Sequence, residues 1–327
     1  MQFAKSAFLL MAVTASLQSS IALSQGPVDA YPAKPVTIII PFAPAGSTEL
    51  EFRIYANKLT EQVNRPFLLD FKAGAGTLVG TSFVAKAPAD GYTLLGTTSS
   101  YAALPSLYPD LPYDPIKDMA PVSLMTEKSS LYVIHPSVPA RNVQELIKWA
   151  RATPGKLTHA TSGAGGAPHL NAEYFYKLTN ITPTFVHYKG TGPMTIDLVA
   201  GRVEAVITLP ALVMPHIRSG KLIALAGTAA SRNVLLPDVP TIMEQGVAGY
   251  DYSAWAGMLA PGRTPGAVIS KLQAELAKAA KSLDVIKKLG DDGNEMVAST
   301  PELFRKRIIS DIEMTRRMVK ETGIKLE

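Results

Sequence analysis

Three stretches of this sequence bring glycine, alanine and hydroxyl residues to points where a strand gives way to a helix. They are Ala43 to Thr48, Gly74 to Gly80 and Ser162 to Ala167. Small side chains let a ligand approach the backbone, and the first N–H groups of a helix have no acceptor within it. With the helix dipole added, such loops suit an anion. Glu49 is the one acid placed at a loop, in a helix first turn, where negative charge complements the dipole. Without a second carboxylate there, acid–base catalysis by two carboxyls has no basis. His169 opens the helix after the third loop, either to reach a ligand or to orient the loop. Tyr188-Lys189-Gly190, at a strand end, offers a hydroxyl and a cation or simply a solvated turn. Trp255 reads as core packing ahead of ligand stacking.

Other chemistries lack their residues. Gly74-x-Gly76-x-x-x-Gly80 has one residue too many for a dinucleotide fingerprint, and no acid closes the next strand as that motif requires. No GxxxxGK[ST] loop and no GxSxG nucleophile elbow occurs. None of the five histidines, His135, His159, His169, His187 and His216, lies three or four residues from another, so no helical metal pair exists. The cysteine count is 0, which removes disulfides, thiolate metal sites and a cysteine nucleophile. Lys+Arg 32 against Asp+Glu 27 leaves a net charge of +5, scattered rather than blocked as in nucleic-acid binders. No catalytic residue, metal, cofactor or nucleic-acid partner is expected.

The elements that carry the loops alternate between β-rich apolar runs and amphipathic stretches, the α/β pattern. Strands are expected at Val36 to Phe42, Phe67 to Phe71, Tyr92 to Gly96, Leu131 to His135, Leu157 to Ala160, Thr184 to Tyr188, Ala205 to Thr208 and Ile223 to Gly227. Helices are expected from a Thr48 cap to Val63, from Gly74–Gly80 to about Lys86, from an Asn142 cap to Ala152, and from Pro168 to Leu178. Two more open at Thr264-Pro265, carrying Val268, Leu272, Leu276 and Leu283, and at Thr300-Pro301, carrying Phe304, Ile308, Ile312, Thr315 and Val319 before Gly323. Two α/β units and a returning C-terminal segment describe a bilobal protein, with crossovers near Glu127-Lys128 and Tyr252-Ser253. The pattern alone also permits one continuous sheet.

Residues 1–24 read as a cleavable secretory signal. Lys5 is its positive region, Ala7 to Leu17 a short apolar core, and Ala22-Leu23-Ser24 a cleavage site before Gln25. No later run is long and apolar enough to span a bilayer. The expected location of the mature chain is the periplasm.

An ordered set of short motifs now carries a resemblance along essentially the whole mature chain. Tyr31-Pro-x-Lys-Pro35, Pro41-Phe42-Ala43-Pro44-Ala45-Gly46-Ser47-Thr48-Glu49, Gly74-Ala-Gly76 with Gly80, and Ala89-Asp90-Gly91-Tyr92-Thr93-Leu94-Leu95 come first. Leu111-Pro-Tyr-Asp114, Pro154-Gly-Lys156, Tyr188-Lys-Gly190, Gly220-Lys-Leu222, Leu236-Pro-Asp-Val-Pro-Thr241, Gly249-Tyr250, Trp255 and Ala260-Pro261 follow. The chain resembles the Bug proteins, extracytoplasmic solute receptors of tripartite tricarboxylate transporters. The resemblance implies an α/β type II periplasmic-binding-protein fold, with two Rossmann-like lobes, a two-strand hinge and a ligand cleft between them. It places lobe 1 at 25–127 plus 253–327 and lobe 2 at 128–252. It implies a monomeric, non-catalytic receptor that takes a small carboxylate to membrane transporter subunits. A sensor-kinase subunit without transport and an enzyme on the same fold are the alternatives. The family's ligand positions carry over to Phe42, Ser47, Thr48, Glu49, Gly74, Gly76, Ser162, Gly163, Gly166 and His169, with Thr208 and Leu209 facing the cleft from the second lobe. Against the family pattern, Ala45 stands for glycine, Glu49 for aspartate, Ala167 for serine, His187 for proline, Arg263 for glycine, and Thr208-Leu209 for an acidic-polar pair. The lost polar groups imply a less polar ligand, an aromatic or medium-chain carboxylate.

Overall fold

Val36–Ile40 is a run of five β-branched residues, which crowd a helix and suit a pleated sheet. It forms β1, described here from a computed structural model that covers residues 31–44, 47–108, 110–163, 167–188, 190–291 and 293–322. The signal segment, Ala45-Gly46, Gly166, Lys189 and Gly323 lie outside the described residues. β1 lies between and parallel to β2 (Phe67–Phe71) and β3 (Thr93–Thr98). β4 (Met119–Ser129) belongs to the same sheet and leads through Ser130 into β5 (Leu131–Ile134) of a second sheet. That sheet also holds β6 (Thr158–Thr161), β7 (Thr184–His187), β8 (Ala205–Thr208) and β9 (Ile223–Gly227). The chain then returns to the first sheet through β10 (Ser253–Pro261) and the short β11 (Glu295–Met296).

The first sheet has the order β11-β4-β10-β3-β1-β2 and the second β7-β6-β8-β5-β9. β10 is antiparallel to β3 and β4, and β5 to β8 and β9. Setting aside β11 at the edge and counting only the mutually parallel strands of each sheet, both run second, first, third, one antiparallel strand, fourth. This repeated order is the two-lobed type II arrangement.

The helices are α1 (Ser47–Val63), α2 (Leu78–Ala85), α3 (Leu104–Leu107), α4 (Val143–Ala152), α5 (Ala167–Thr179), α6 (Thr191–Val199), α7 (Met214–Arg218), α8 (Gly266–Ala280), α9 (Leu283–Gly290) and α10 (Pro301–Thr322). Asn142 caps α4 as its sequence indicates, its Oδ1 accepting the Glu145 N–H at 2.8 Å. Thr300 Oγ1 accepts the Leu303 N–H at the start of α10. Three expectations shift. α1 begins at Ser47, so Thr48 lies inside it rather than capping it. Pro265, with extended backbone, is the residue before α8, so Thr264 is not its cap. Leu283 does not extend the buried stripe of α8. Ser282 takes an extended conformation and donates its hydroxyl to Ala279 O, and Leu283 opens α9 with 83% of its surface exposed.

α8 and α10 pack on β4, and Phe304 of α10 is fully buried edge-on against Trp255 of β10. The ring fits because position 257 has no side chain: a Cβ there would lie 2.3 Å from Phe304 Cζ. Phe304 cannot swing away from its packed neighbours. Gly257→Ala should therefore cost about 1–2 kcal/mol by overpacking. The thermal midpoint would fall accordingly, and an unchanged midpoint would show that the ring relaxes freely.

Candidate functional site

Because β1, β2 and β3 are parallel, their C-terminal ends Ile40, Phe71 and Thr98 share one edge of the first sheet. β6, β7 and β8 likewise bring Thr161, His187 and Thr208 to one edge of the second. Ligands of open α/β sheets bind outside such edges. The chain also crosses between lobes here. β4 ends and β10 begins side by side, with Ser129 paired to Ser253 and Lys128 to Ala254. Hydrogen bonds fasten the crossing to lobe 2, from Asn233 Nδ2 to Ser129 O at 2.8 Å and from Thr228 N to Ser130 O at 2.9 Å.

A cavity of about 200 Å³ opens on these strands. Its walls are Thr48 and Glu51 of α1, Thr98 and Ser99 after β3, Thr126 and Lys128 of β4, Ala254 to Ala256 of β10, Asn294, and Leu209 from the second lobe. Alternation along β4 explains the lining: Thr126 and Lys128 share one face, while Glu127 turns to α10. Glu51 is buried and accepts the Thr126 hydroxyl. Two of the sequence-derived positions, Thr48 and Leu209, line this cavity. Glu49 instead receives Arg53 one turn along, at 2.5 and 3.1 Å from Nη2 and Nε. Helical spacing pairs i with i+4, and the Glu49 side chain is 17% exposed beside Arg53.

Gly74 and Gly76 lie on the same edge, after β2. The backbone has positive φ at four consecutive residues, Gly74 (139°), Ala75 (45°), Gly76 (56°) and Thr77 (86°). Two of these are not glycine, and left-handed backbone held against its cost is a mark of functional loops. The buried Thr77 Oγ1 has no hydrogen-bond partner among the described residues. Phe42 is half-buried at the start of the first loop, and Ser47 opens α1. Gly80 lets α2 sit on that loop, since a Cβ there would lie 2.8 Å from Pro41 Cβ.

In lobe 2, Ser162 O accepts the Gly190 N–H at 3.1 Å and Gly163 O accepts the Thr161 hydroxyl at 3.0 Å. Having spent its one proton, Thr161 Oγ1 must accept from His187 Nδ1 at 2.8 Å, which fixes that ring's tautomer. His169 is buried, edge-on to Phe185 and His187 with centroids 4.7 Å away from each, and 3.5 Å from Glu173. Its ring thus packs on β7. Desolvation, then the nearby His169, holds the His187 imidazole below its ordinary range. Thr208 is buried at the end of β8.

Trp255 borders the cavity, but its ring belongs to the core. Its indole N–H donates to Asp311 at 2.6 Å. Arg307 donates to Asp311 at 2.9 Å, to Ser253 Oγ at 2.7 Å and to Glu127. One buried network thus ties both crossing strands to α10. Sequence reasoning missed Glu51, Thr98, Ser99, Thr126, Lys128 and Asn294. The two polar residues inside the crossover at Glu127-Lys128 were the available signal. A larger groove, about 610 Å³, lies between residues 105–116 and α10. It takes no residue from the second lobe and carries the carboxylate of Asp114 on its wall. Among the described residues no group of three His, Asp or Glu side chains is placed to hold a metal, and no helix is long and apolar enough to cross a membrane.

Residues 51–324 match the model of the tripartite tricarboxylate transporter family receptor. Protein BugT of Bordetella pertussis is 36% identical over 301 residues, covering 91% of this chain and 92% of that protein. Two solved structures are also similar. R. palustris Rpa4515 with adipate is 33% identical at a TM-score of 0.68, covering 90% of this chain and 99% of that one. MatC from Rhodopseudomonas palustris with bound malate is 29% identical at a TM-score of 0.65, covering 88% and 100%. By this match and by its paired sheets, the chain belongs to the Bug-type receptors of the tripartite tricarboxylate transporter family.

Proposed function

We propose that this protein captures a small carboxylate between its lobes in the periplasm and hands it to the membrane subunits of a tripartite transporter. The observation that carries this is the cavity at the crossing strands, where α1 and the end of β3 meet β4, β10 and Leu209 of the second lobe. In this reading, lobe 1 comprises 25–127 with 253–327 and lobe 2 comprises 128–252. Residues 1–24 are the export signal. Main-chain groups around Phe42, Ser47 and Thr48 and the left-handed turn at Gly74 and Gly76 hold one carboxylate. Ser162, Gly163, Gly166, Thr208 and Leu209 close over it, with His169 as a brace. Similarity to proteins solved with adipate and malate supports the carboxylate class.

The energetics are sufficient. Micromolar binding needs about −8 kcal/mol. Four or five hydrogen bonds to an ionised group, at about 1.5–3 kcal/mol each, exceed that before association costs of several kcal/mol. Lobe closure and burial beside Leu209 supply the remainder. The role is that of a receptor, not an enzyme: the cavity walls carry one carboxylate, Glu51, already engaged by Thr126.

Thermal-shift scans of residues 25–327 against mono-, di-, tri-, amino and aromatic carboxylates test the reading. A true ligand at about 100-fold over its Kd stabilises by about 2.7 kcal/mol. A flat response across the panel, with mass spectrometry finding no copurified ligand, would contradict it.

A further inference from the structure

We propose that the groove beside α10 is a second small-molecule site, separate from the cleft, for an uncharged ring compound that carries a hydrogen-bond acceptor. The groove has a volume of about 610 Å³. That is the size of a small-molecule pocket, and such pockets are mostly apolar with a few polar groups set into them. Pro105, Tyr108, Leu111, Pro112, Pro115 and Ile312 supply apolar walls. Proline rings are rigid and carry no N–H, so they offer contact area without a donor. Tyrosine adds flat aromatic surface. Two charged residues also line the groove, and neither selects an ion. Asp114 Oδ1 accepts the Ile116 and Lys117 N–H groups at 2.8 and 3.0 Å, and its Oδ2 lies 3.5 Å from Lys117 Nζ. Arg316 is exposed, where water screens its charge.

The group that calls for a ligand is Tyr113. It lines the groove at 7% exposure, and its buried hydroxyl has no hydrogen-bond partner among the described residues. A buried hydroxyl without a partner costs free energy, and an acceptor brought to it recovers that cost. Burial pushes the phenol up from its ordinary range, so it keeps its proton and can only gain by donating. The wall around it is already held in place. Tyr101 donates its hydroxyl to Pro115 O at 2.5 Å, Arg305 donates to Ile116 O at 2.8 Å, and Asp118 accepts the Asp114 N–H at 2.7 Å. A loop fixed in this way gives up little freedom when a ligand enters.

Acetophenone and ethylbenzene share a ring and differ by one carbonyl oxygen, which makes them a matched pair of probes. In residues 25–327 with labelled methyl groups, titration with acetophenone should move the NMR signals of Ile116 and Ile312 and saturate. Tyr113→Phe removes only the unpartnered hydroxyl, so the thermal midpoint of the free protein should hold or rise. The same variant should weaken acetophenone about 3- to 10-fold and change ethylbenzene by less than about 2-fold. The titration of the unaltered protein secures the test if Tyr113→Phe fails to fold. Unmoved Ile116 and Ile312 signals, movement of the Leu209 signal alone, or equal weakening of both probes by Tyr113→Phe would each overturn the assignment. None of these results touches the receptor reading, which rests on the cleft cavity, and a flat carboxylate panel would leave this second site standing.

Discussion

Asp311→Ala should destabilise the protein by about 2–4 kcal/mol, the cost of taking one of two carboxylates from a buried guanidinium and the acceptor from an indole N–H. Asp311 accepts both the Trp255 indole N–H and the Arg307 guanidinium, at 2.6 and 2.9 Å. Side-chain exposures of 10% for Asp311 and 19% for Arg307 keep water from replacing it. Burial pushes the Asp311 carboxyl up from its ordinary range, against the pull of Arg307 and Trp255. Removing it would free Trp255 and leave Arg307 of α10 held by Glu127 and Ser253 alone, weakening the tie between the crossing strands and α10. Urea unfolding should show a lower midpoint at unchanged slope. The triple variant Glu127→Gln, Arg307→Met and Asp311→Leu should recover part of the loss, because no charge is then left without its partner. A cost below about 1 kcal/mol for Asp311→Ala is what an exposed pair gives, and it would contradict this account of the hinge.

Acid should weaken the second lobe through His159. The ring is buried among Tyr132 of β5, Tyr176 of α5 and Phe185 of β7, with His169 as its charged-type neighbour. Its Nδ1 meets the Tyr176 hydroxyl at 2.7 Å, and its Nε2 has no partner among the described residues. Burial, with a smaller contribution from His169, lowers the imidazole to about 3. The unfolded chain binds this proton below about 6.5 and the folded chain does not, so the unfolded state holds more protons between those values. Stability from this group is therefore complete above about 6.5 and lost as pH falls toward 3, at about 1.4 kcal/mol per pH unit. His159→Gln does not titrate and should flatten that limb. Between pH 7 and pH 4.5 the unaltered protein should lose about 2–3 kcal/mol more than the variant. Parallel denaturation curves across that range would show that His159 is not the source.

Much of the architecture is legible in the residues. Val36–Ile40, Phe67–Phe71, Ala205–Thr208 and Ile223–Gly227 are apolar and bounded by turn residues, and they form strands where that pattern puts them. β4 and β10 are harder to read. Their polar residues, Ser123, Thr126, Glu127 and Lys128, face the cavity, α10 or the neighbouring loops, so alternation does not mark them as buried strands. The loops are recognisable from their small residues, and the left-handed turn shows why Gly74 and Gly76 are needed. The choice of acid is not legible. Glu49 and Glu51 both lie in the first turn and a half of α1, and only the folded chain shows that Glu51 lines the cavity while Glu49 pairs with Arg53. The apolar Leu209 points to a less polar ligand, whereas Lys128, contributed by the opposite wall, is visible only once the strands pair.

Hydrogen–deuterium exchange with and without the best carboxylate from the panel would locate the site most directly. Binding between the lobes should slow exchange at residues 47–51, 98–99, 126–130 and 208–209, which line or flank the cavity, and at 74–77 in the loop after β2. Protection confined to residues 105–116 and the C-terminal half of α10, the larger groove, would contradict a ligand site in the cleft.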